Sequence, residues 1–231
     1  MTSALPLDLV GEALRTVHRR FAVGDSRALR YPAEVVPFAT LADRSDASLS
    51  ALAALLVAGE HVYVAGERPD NPRLLRTGEP VPCLVMSYAR SVPQDAPSPG
   101  VTILRMSDTD APDLVALTDL AFPGFYRPRT HEMGTYYGIR LHGQLVAMAG
   151  ERLCLPGFRE ISAVVTHPAH AGKGYARLLM HRLLCDHAAQ GVQSFLHVKE
   201  SNTRAQSLYL RMGFETVRQV HLWPVSQVQA L

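Results

Sequence analysis

The sequence has little cysteine. Cys83, Cys154 and Cys185 are the only three in 231 residues, widely spaced and odd in number. That argues against a disulfide framework and predicts reduced thiols in a cytoplasmic protein. No apolar run approaches the roughly 20 residues that a membrane-spanning helix requires. The first stretch, MTSALPLDLVGEALRTVHRR, lacks a basic segment ahead of an apolar one, so no signal peptide is expected. No stripe of Lys and Arg is visible: the net charge is +2 and the basic residues are scattered. A nucleic-acid partner is therefore not expected, nor is a membrane surface or an acidic partner. Short-period repeats and long low-complexity segments are also missing. What is present is a globular composition, 47% apolar and 19% charged, with ample material for a core.

The clearest composition shift is SVPQDAPSPG, residues 91–100. Its prolines, small polar residues and final glycine read as a linker or long loop, and they predict a division into parts 1–99 and 100–231. In the first part, Val10, Leu14, Val17 and Phe21 keep helical spacing, DASLSALAALLVAG reads as a second helix, and HVYVAG and PCLVMSYA read as strands. No reactive cluster stands out there. In the second part, VTILRM reads as a strand and SDTDAPDLVALTDLAF as a helix capped by Asp110. TYYGIR, QLVAMAG and REISAVVT read as strands. A helix from Ala176 to Gly191 follows, then the strand SFLHV, a helix capped by Ser201 or Asn202 and ended by Gly213, and one or two closing strands.

The stretch HPAHAGKGYARLL places Gly172, Lys173 and Gly174 just ahead of an apolar helix. A glycine loop at a helix N-terminus is an anion site. A triphosphatase loop needs a Ser or Thr after the lysine to hold magnesium, but Gly174 stands there. A dinucleotide loop needs G-x-G-x-x-G or A, but the sixth position is Arg177 and the loop from Thr166 is too long for that tight turn. Glu200 does stand where a ribose-binding acid would, but the glycine fingerprint is incomplete.

A third reading fits better. The segment Ala171-Gly172-Lys173-Gly174-Tyr175-Ala176 resembles Q/R-x-x-G-x-G/A, the signature of the GNAT superfamily of acyl-CoA-dependent N-acyltransferases. Asn202, Ala205, Leu208, Tyr209, Gly213 and Phe214 match the family's N-x-x-A-x-x-L-Y-x-x-x-G-F, and LRMSDTDAPDLVAL resembles its opening strand and helix. The resemblance covers about residues 101–220, in the family's order. It implies an α/β (α+β) fold with a central mixed, mostly antiparallel sheet flanked by helices. The N-terminal part would be a smaller α/β unit, a degenerate companion half as in amino-acid N-acyltransferase-like members. It also implies acetyl-CoA as co-substrate, no metal, a small-molecule primary amine as acceptor, and a monomer or homodimer.

The residues implied follow the motifs. Gly172, Lys173, Gly174, Tyr175, Ala176 and Arg177 would hold the coenzyme A pyrophosphate, with Ala171 in place of the family's Arg or Gln and so one side-chain contact missing. Val164, Val165 and Thr166 would bond the pantetheine arm, with an oxyanion contact from the backbone N–H of Val164 or Val165. Asn202 would add a contact to the pantetheine region. Acyl transfer also needs a base for the ammonium and an acid for the departing thiolate. Glu160 is the expected base, its pKa raised by burial near a cleft; the alternative is a strand glutamate paired with Arg159, and Glu151 is the runner-up base. Tyr209 is the expected acid. His131, Glu132, Tyr136 and Tyr137 fall where the family shapes its acceptor pocket. His181 and Cys185, four apart on a helix, are too few for a metal site. The competing function is a module that binds acyl-CoA without catalysis.

Overall fold

Strands from both ends of the chain meet in one sheet. The computed structural model describes residues 4–90 and 100–228. In chain order the strands are β1 (Val23–Gly24), β2 (Ala28–Arg30), β3 (Phe38–Leu41), β4 (His61–Ala65), β5 (Leu75–Thr77), β6 (Val81–Tyr88), β7 (Leu104–Arg105), β8 (Tyr136–Leu141), β9 (Gln144–Leu155), β10 (Phe158–Thr166), β11 (Gln193–Lys199) and β12 (Phe214–Gln227). The helices are α1 (Leu9–Arg15), α2 (Asp46–Leu55), α3 (Ala111–Asp119), α4 (Tyr175–Ala189) and α5 (Thr203–Met212). Across the sheet the order is β1-β2-β3-β4-β12-β6-β11-β10-β9-β8-β7, with β5 beside β12. Two pairs are parallel, β3 with β4 and β10 with β11, and the other pairs are antiparallel. The mixed, mostly antiparallel sheet flanked by helices is the fold expected from the sequence.

Helix ends follow local chemistry. The Asp8 carboxylate accepts the Gly11 N–H at 2.8 Å and starts α1, and Ser45 caps α2 through the Ser48 N–H. Asn202 caps α5 by accepting the Ala205 N–H at 3.1 Å, and Gly213, at φ 106°, ends it. The helical spacing of Val10, Leu14, Val17 and Phe21 overstates α1, which stops at Arg15. The turn after it sends His18 inward, where Tyr31 Oη lies 2.8 Å from Nδ1 and the Met133 carbonyl 2.9 Å from Nε2. The segment VTILRM forms only the two-residue β7, whereas QLVAMAG continues through ERLCL into the twelve-residue β9.

The two faces of the sheet are covered differently. Leu179, Met180 and Leu183 of α4 and Tyr209 of α5 pack on Ile161, Leu196 and Met86. On other parts of the sheet, Leu9, Val10 and Leu14 of α1 pack with Phe195, Val85 and Leu155, while Leu114 and Leu117 of α3 pack with Met148 and Val165. Leu49 and Leu52 of α2 cover the far end with Val62 and Val64.

The parallel pairing of β10 with β11 runs from Phe158 opposite Gln193 to Glu160 opposite Phe195 and then ends, although both strands continue. On its other edge, β10 carries an irregularity between Ser162 and Val165. Ala163 there has φ 50°, a left-handed conformation that costs an L-residue about 1–2 kcal/mol. A bulge of this kind twists and re-aims a strand.

The division expected at 91–100 falls on residues of which 91–99 lie outside the described set, and the sheet runs across it. Strand β6, from before that point, lies between β11 and β12 from after it, antiparallel to both. Its Cys83, Val85, Met86 and Tyr88 are buried. Burying one large apolar side chain stabilises by about 1.5–3 kcal/mol. The strand's contribution is thus comparable with the roughly 5–15 kcal/mol that holds a domain folded. A fragment of residues 100–231 is therefore expected to lose cooperative thermal unfolding and amide-proton dispersion, both present in the full chain. Calorimetry and a proton–nitrogen correlation spectrum would check this, and a native-like fragment would show that the second part folds without β6.

Candidate active site

Where β10 and β11 part, a cleft of about 220 Å³ opens between them. Ile161 to Val164 of β10 form one wall and His197 to Lys199 of β11 the other. Asn202, Ala205 and Tyr209 line it from α5, and Phe122 and Phe125 line it from the segment after α3. Backbone groups that would otherwise bond across a parallel ladder are left for another partner. The strand alternation separates the three residues expected to bond there. Val164 lines the cleft, whereas Val165 is buried against α3 and Thr166 is half-buried at the strand's end, opposite Ala147 of β9.

Strand β10 leads into the glycine loop. Gly172 and Gly174 have φ 80° and 77°, and Gly174 is the N-cap of α4. A Cβ at either position would meet nothing within 4 Å. The glycines are thus required by backbone conformation and not by crowding. Tyr175 turns its ring into the core beneath α4, while Ala171, Lys173 and Arg177 are exposed. Lys173 Nζ lies 3.5 Å from His170 Nδ1. Partial burial, then the Lys173 and His167 charges, lower the His170 pKa. The loop offers exposed positive charge at the start of a fifteen-residue helix, which suits a pyrophosphate.

Glu160 is fully buried and is not among the residues that line the cleft. Arg152 donates to it from Nη2 to Oε1 at 2.5 Å and from Nε to Oε2 at 3.1 Å, and the Leu153 N–H donates to Oε2 at 3.2 Å. His197 Nδ1 lies 2.8 Å from Oε1. The expectation of a raised pKa is corrected here. Burial pushes the carboxyl up, but the Arg152 charge and then His197 outweigh it and hold the pKa down at about 2. Its ion partner is Arg152, not Arg159, which donates instead to the carbonyls of Leu155 and Phe158. The register shift between Arg159 and Ile161 is what puts Arg152 beside Glu160.

Tyr209 is buried at the cleft wall, and burial raises its pKa to about 12, so the hydroxyl keeps its proton at neutral pH. Asn202 lines the same cleft while capping α5. Glu151 lies elsewhere: His187 Nε2 is 2.9 Å from its Oε1, the Thr135 N–H donates to Oε2 at 2.7 Å, and Ser194 Oγ sits 2.7 Å from His187 Nδ1. Burial raises the Glu151 pKa, but the His187 and Thr135 hydrogen bonds bring it below the ordinary value. His131, Glu132, Tyr136 and Tyr137 do not line the cleft either. His131 contacts Asp108, Glu132 pairs with Arg129, Tyr136 is buried against Tyr126, and Tyr137 donates to Asp186. Among the described residues no three His, Cys, Asp or Glu side chains gather as a metal site. His181 and Cys185 contact each other at 3.7 Å.

Arg152 and His197 line the cleft and carry no motif in the sequence. The available signals were the charge pair across the turn in ERLCLPGFRE and the alternation of Phe195, His197 and Lys199 on one strand face. Lys173 and Lys199 are the only lysines in the sequence; the first is in the glycine loop and the second lines the cleft.

Comparison with known proteins agrees with this geometry. Residues 136–223 match the family model described as FR47-like protein. No curated protein matches. A GNAT-family protein from Novosphingobium aromaticivorans is 29% identical, with 98% of this chain and 100% of that chain covered at a TM-score of 0.86. A GCN5-related N-acetyltransferase from Kribbella flavida is 17% identical, with 96% of each chain covered at a TM-score of 0.65. A GNAT-family acetyltransferase from Colwellia psychrerythraea is 14% identical, with 99% and 92% covered at a TM-score of 0.53; these last two support the fold alone. The full-length likeness to the first, the family model matched over residues 136–223, and a glycine loop beside a splayed strand pair together support the resemblance of this chain to the GNAT superfamily.

Proposed function

We propose that the protein is an N-acyltransferase that moves an acetyl group from acetyl-CoA to a primary amine of a small, amino-acid-like acceptor by direct attack on the thioester. The observation that carries this reading is the meeting of Tyr209, the unpaired stretch of β10 and the capping Asn202 in one cleft, with the glycine loop at the end of the same strand. Acetyl-CoA supplies the activated acyl group. The loop N–H groups, with Lys173 and Arg177, offer a cradle for its pyrophosphate. Val164 and Asn202 offer polar groups to the pantetheine arm. The bulge at Ala163 and Val164 re-aims backbone toward the cleft, where an N–H can stabilise the carbonyl oxygen as charge develops. Tyr209 holds a proton for the departing sulfur. Phe122 and Phe125 give the acceptor end an apolar lining.

A second reading, an acyl-CoA-binding module without turnover, draws on the exposed Ala171 and on a Glu160 that is charged and shut away. The two readings part on Tyr209. In a thiol-release assay over a panel of amines, the first expects turnover, and Tyr209→Phe is expected to lower kcat by about 10²-fold with little change in KM for acetyl-CoA. Tight coenzyme A binding with no turnover of any amine would favour the second. For the loop, Ala171→Arg is expected to tighten coenzyme A binding about fivefold by calorimetry, the worth of roughly 1 kcal/mol for an exposed charged contact. An unchanged Kd would mean that the backbone N–H groups carry the loop's affinity alone.

A further inference from the structure

We infer that His197 is the base that takes the proton from the acceptor's ammonium, and that Glu160 is a positioning residue that fixes the imidazole for this task. The inference rests on the acyl-transfer reading above and gives its missing base. Glu160 cannot meet the acceptor directly, because it is fully buried and does not line the cleft. His197 stands between the two. It touches Glu160 at 2.8 Å through Nδ1 and lines the cleft. It also lines a smaller adjoining cavity, with Leu9, Val10, Arg152 and Arg218.

The hydrogen-bond chemistry fixes the tautomer. A carboxylate held charged by Arg152 can only accept, so Nδ1 carries the hydrogen and donates it to Glu160 Oε1. In the neutral ring the lone pair is then on Nε2, and an orienting carboxylate behind an imidazole is the arrangement of a general base. The other titratable groups lining the cleft are less suited. Burial raises the Cys83 thiol to about 11 and the Tyr209 hydroxyl to about 12, Arg152 is committed to Glu160, and Lys199 Nζ is held over the Phe125 ring. The charged or titratable groups around His197 are thus Glu160 of β10, Arg152 of β9, Arg218 of β12, Cys83 of β6, Lys199 of β11 and Tyr209 of α5, while α1 brings Leu9 and Val10.

The proton count closes. His197 Nε2 takes one proton from the ammonium and passes it to solvent, with Glu160 balancing the transient imidazolium. The freed nitrogen lone pair forms the N–C bond, and the C–S electron pair leaves with sulfur. Tyr209 protonates that thiolate. The second proton lost by the nitrogen returns to the Tyr209 oxygen through solvent, so one proton is released per turnover.

The test is the pH profile of kcat with an amine that the wild type acetylates, run on wild type, His197→Gln and Glu160→Gln. His197→Gln is expected to lower kcat by at least about 10²-fold at neutral pH, with acetyl-CoA affinity by calorimetry unchanged within twofold, and to abolish the acid limb. Glu160→Gln is expected to retain a limb, moved to lower pH, because the imidazolium loses its counter-charge. A purely structural glutamate would leave the limb in place. Glu160 also neutralises Arg152, so that variant is first checked for folding by circular dichroism. If it does not fold, His197→Gln, which leaves the Arg152 pair intact, decides the matter. Wild-type turnover with an unaltered rate and limb in His197→Gln overturns this inference alone. A wild type that turns over no amine overturns the acyl-transfer reading, and this inference with it.

Discussion

The rest of the structure depends on where one parallel strand pair comes apart. Strands β10 and β11 bond over three residue pairs and then diverge. A continuous ladder would satisfy every backbone group internally and leave no room for a ligand. The divergence is held from both sides. The bulge at Ala163 bends β10 along β9, and β6, itself paired with β12 on its other edge, anchors β11 in the sheet. At the last bonded pair lies Glu160, whose link to Arg152 ties β10 back to β9, while His197 ties it across to β11. A buried charge pair of this kind is weak evidence for stability, but it fixes one arrangement of the strands where small displacements would matter most.

Much of this was legible in the sequence. The glycine loop, its helix, the Asn202 cap, Gly213 and Tyr209 announce themselves by residue type at fixed spacing, because φ above zero and capping are local demands. Val164 and Val165 are indistinguishable in the motif, and only strand alternation in the folded sheet separates them. The Glu160 environment differs from the expectation for another reason. The sequence showed a carboxylate headed for burial, but whether burial neutralises or strengthens a charge depends on its partners, and Arg152 arrives through a register shift that no spacing rule reveals. His197 is not legible in the sequence, because a lone histidine in an apolar strand carries no pattern until its partner is seen.

The N-terminal residues have no visible chemistry of their own, yet they complete the site. Cys83 of β6 lines the cleft, Leu9 and Val10 of α1 close the small cavity beside His197, and Phe38 of β3 lies 4.9 Å from the Arg152 guanidinium. The shape of the cleft is therefore a property of the whole chain and not of the motif-bearing part alone.

The place of β12 also governs how the molecule is made. This strand, residues 214–227, pairs with β4, β5 and β6, all of which leave the ribosome more than a hundred residues earlier. Until it arrives, β4 and β6 each have an open edge, and open edges invite pairing with other chains. Closure over so long a loop is slow compared with local folding. The nascent protein thus passes through a stage in which its N-terminal half is made but unfinished, and its yield in a cell depends on whatever shields those edges until the last strand docks.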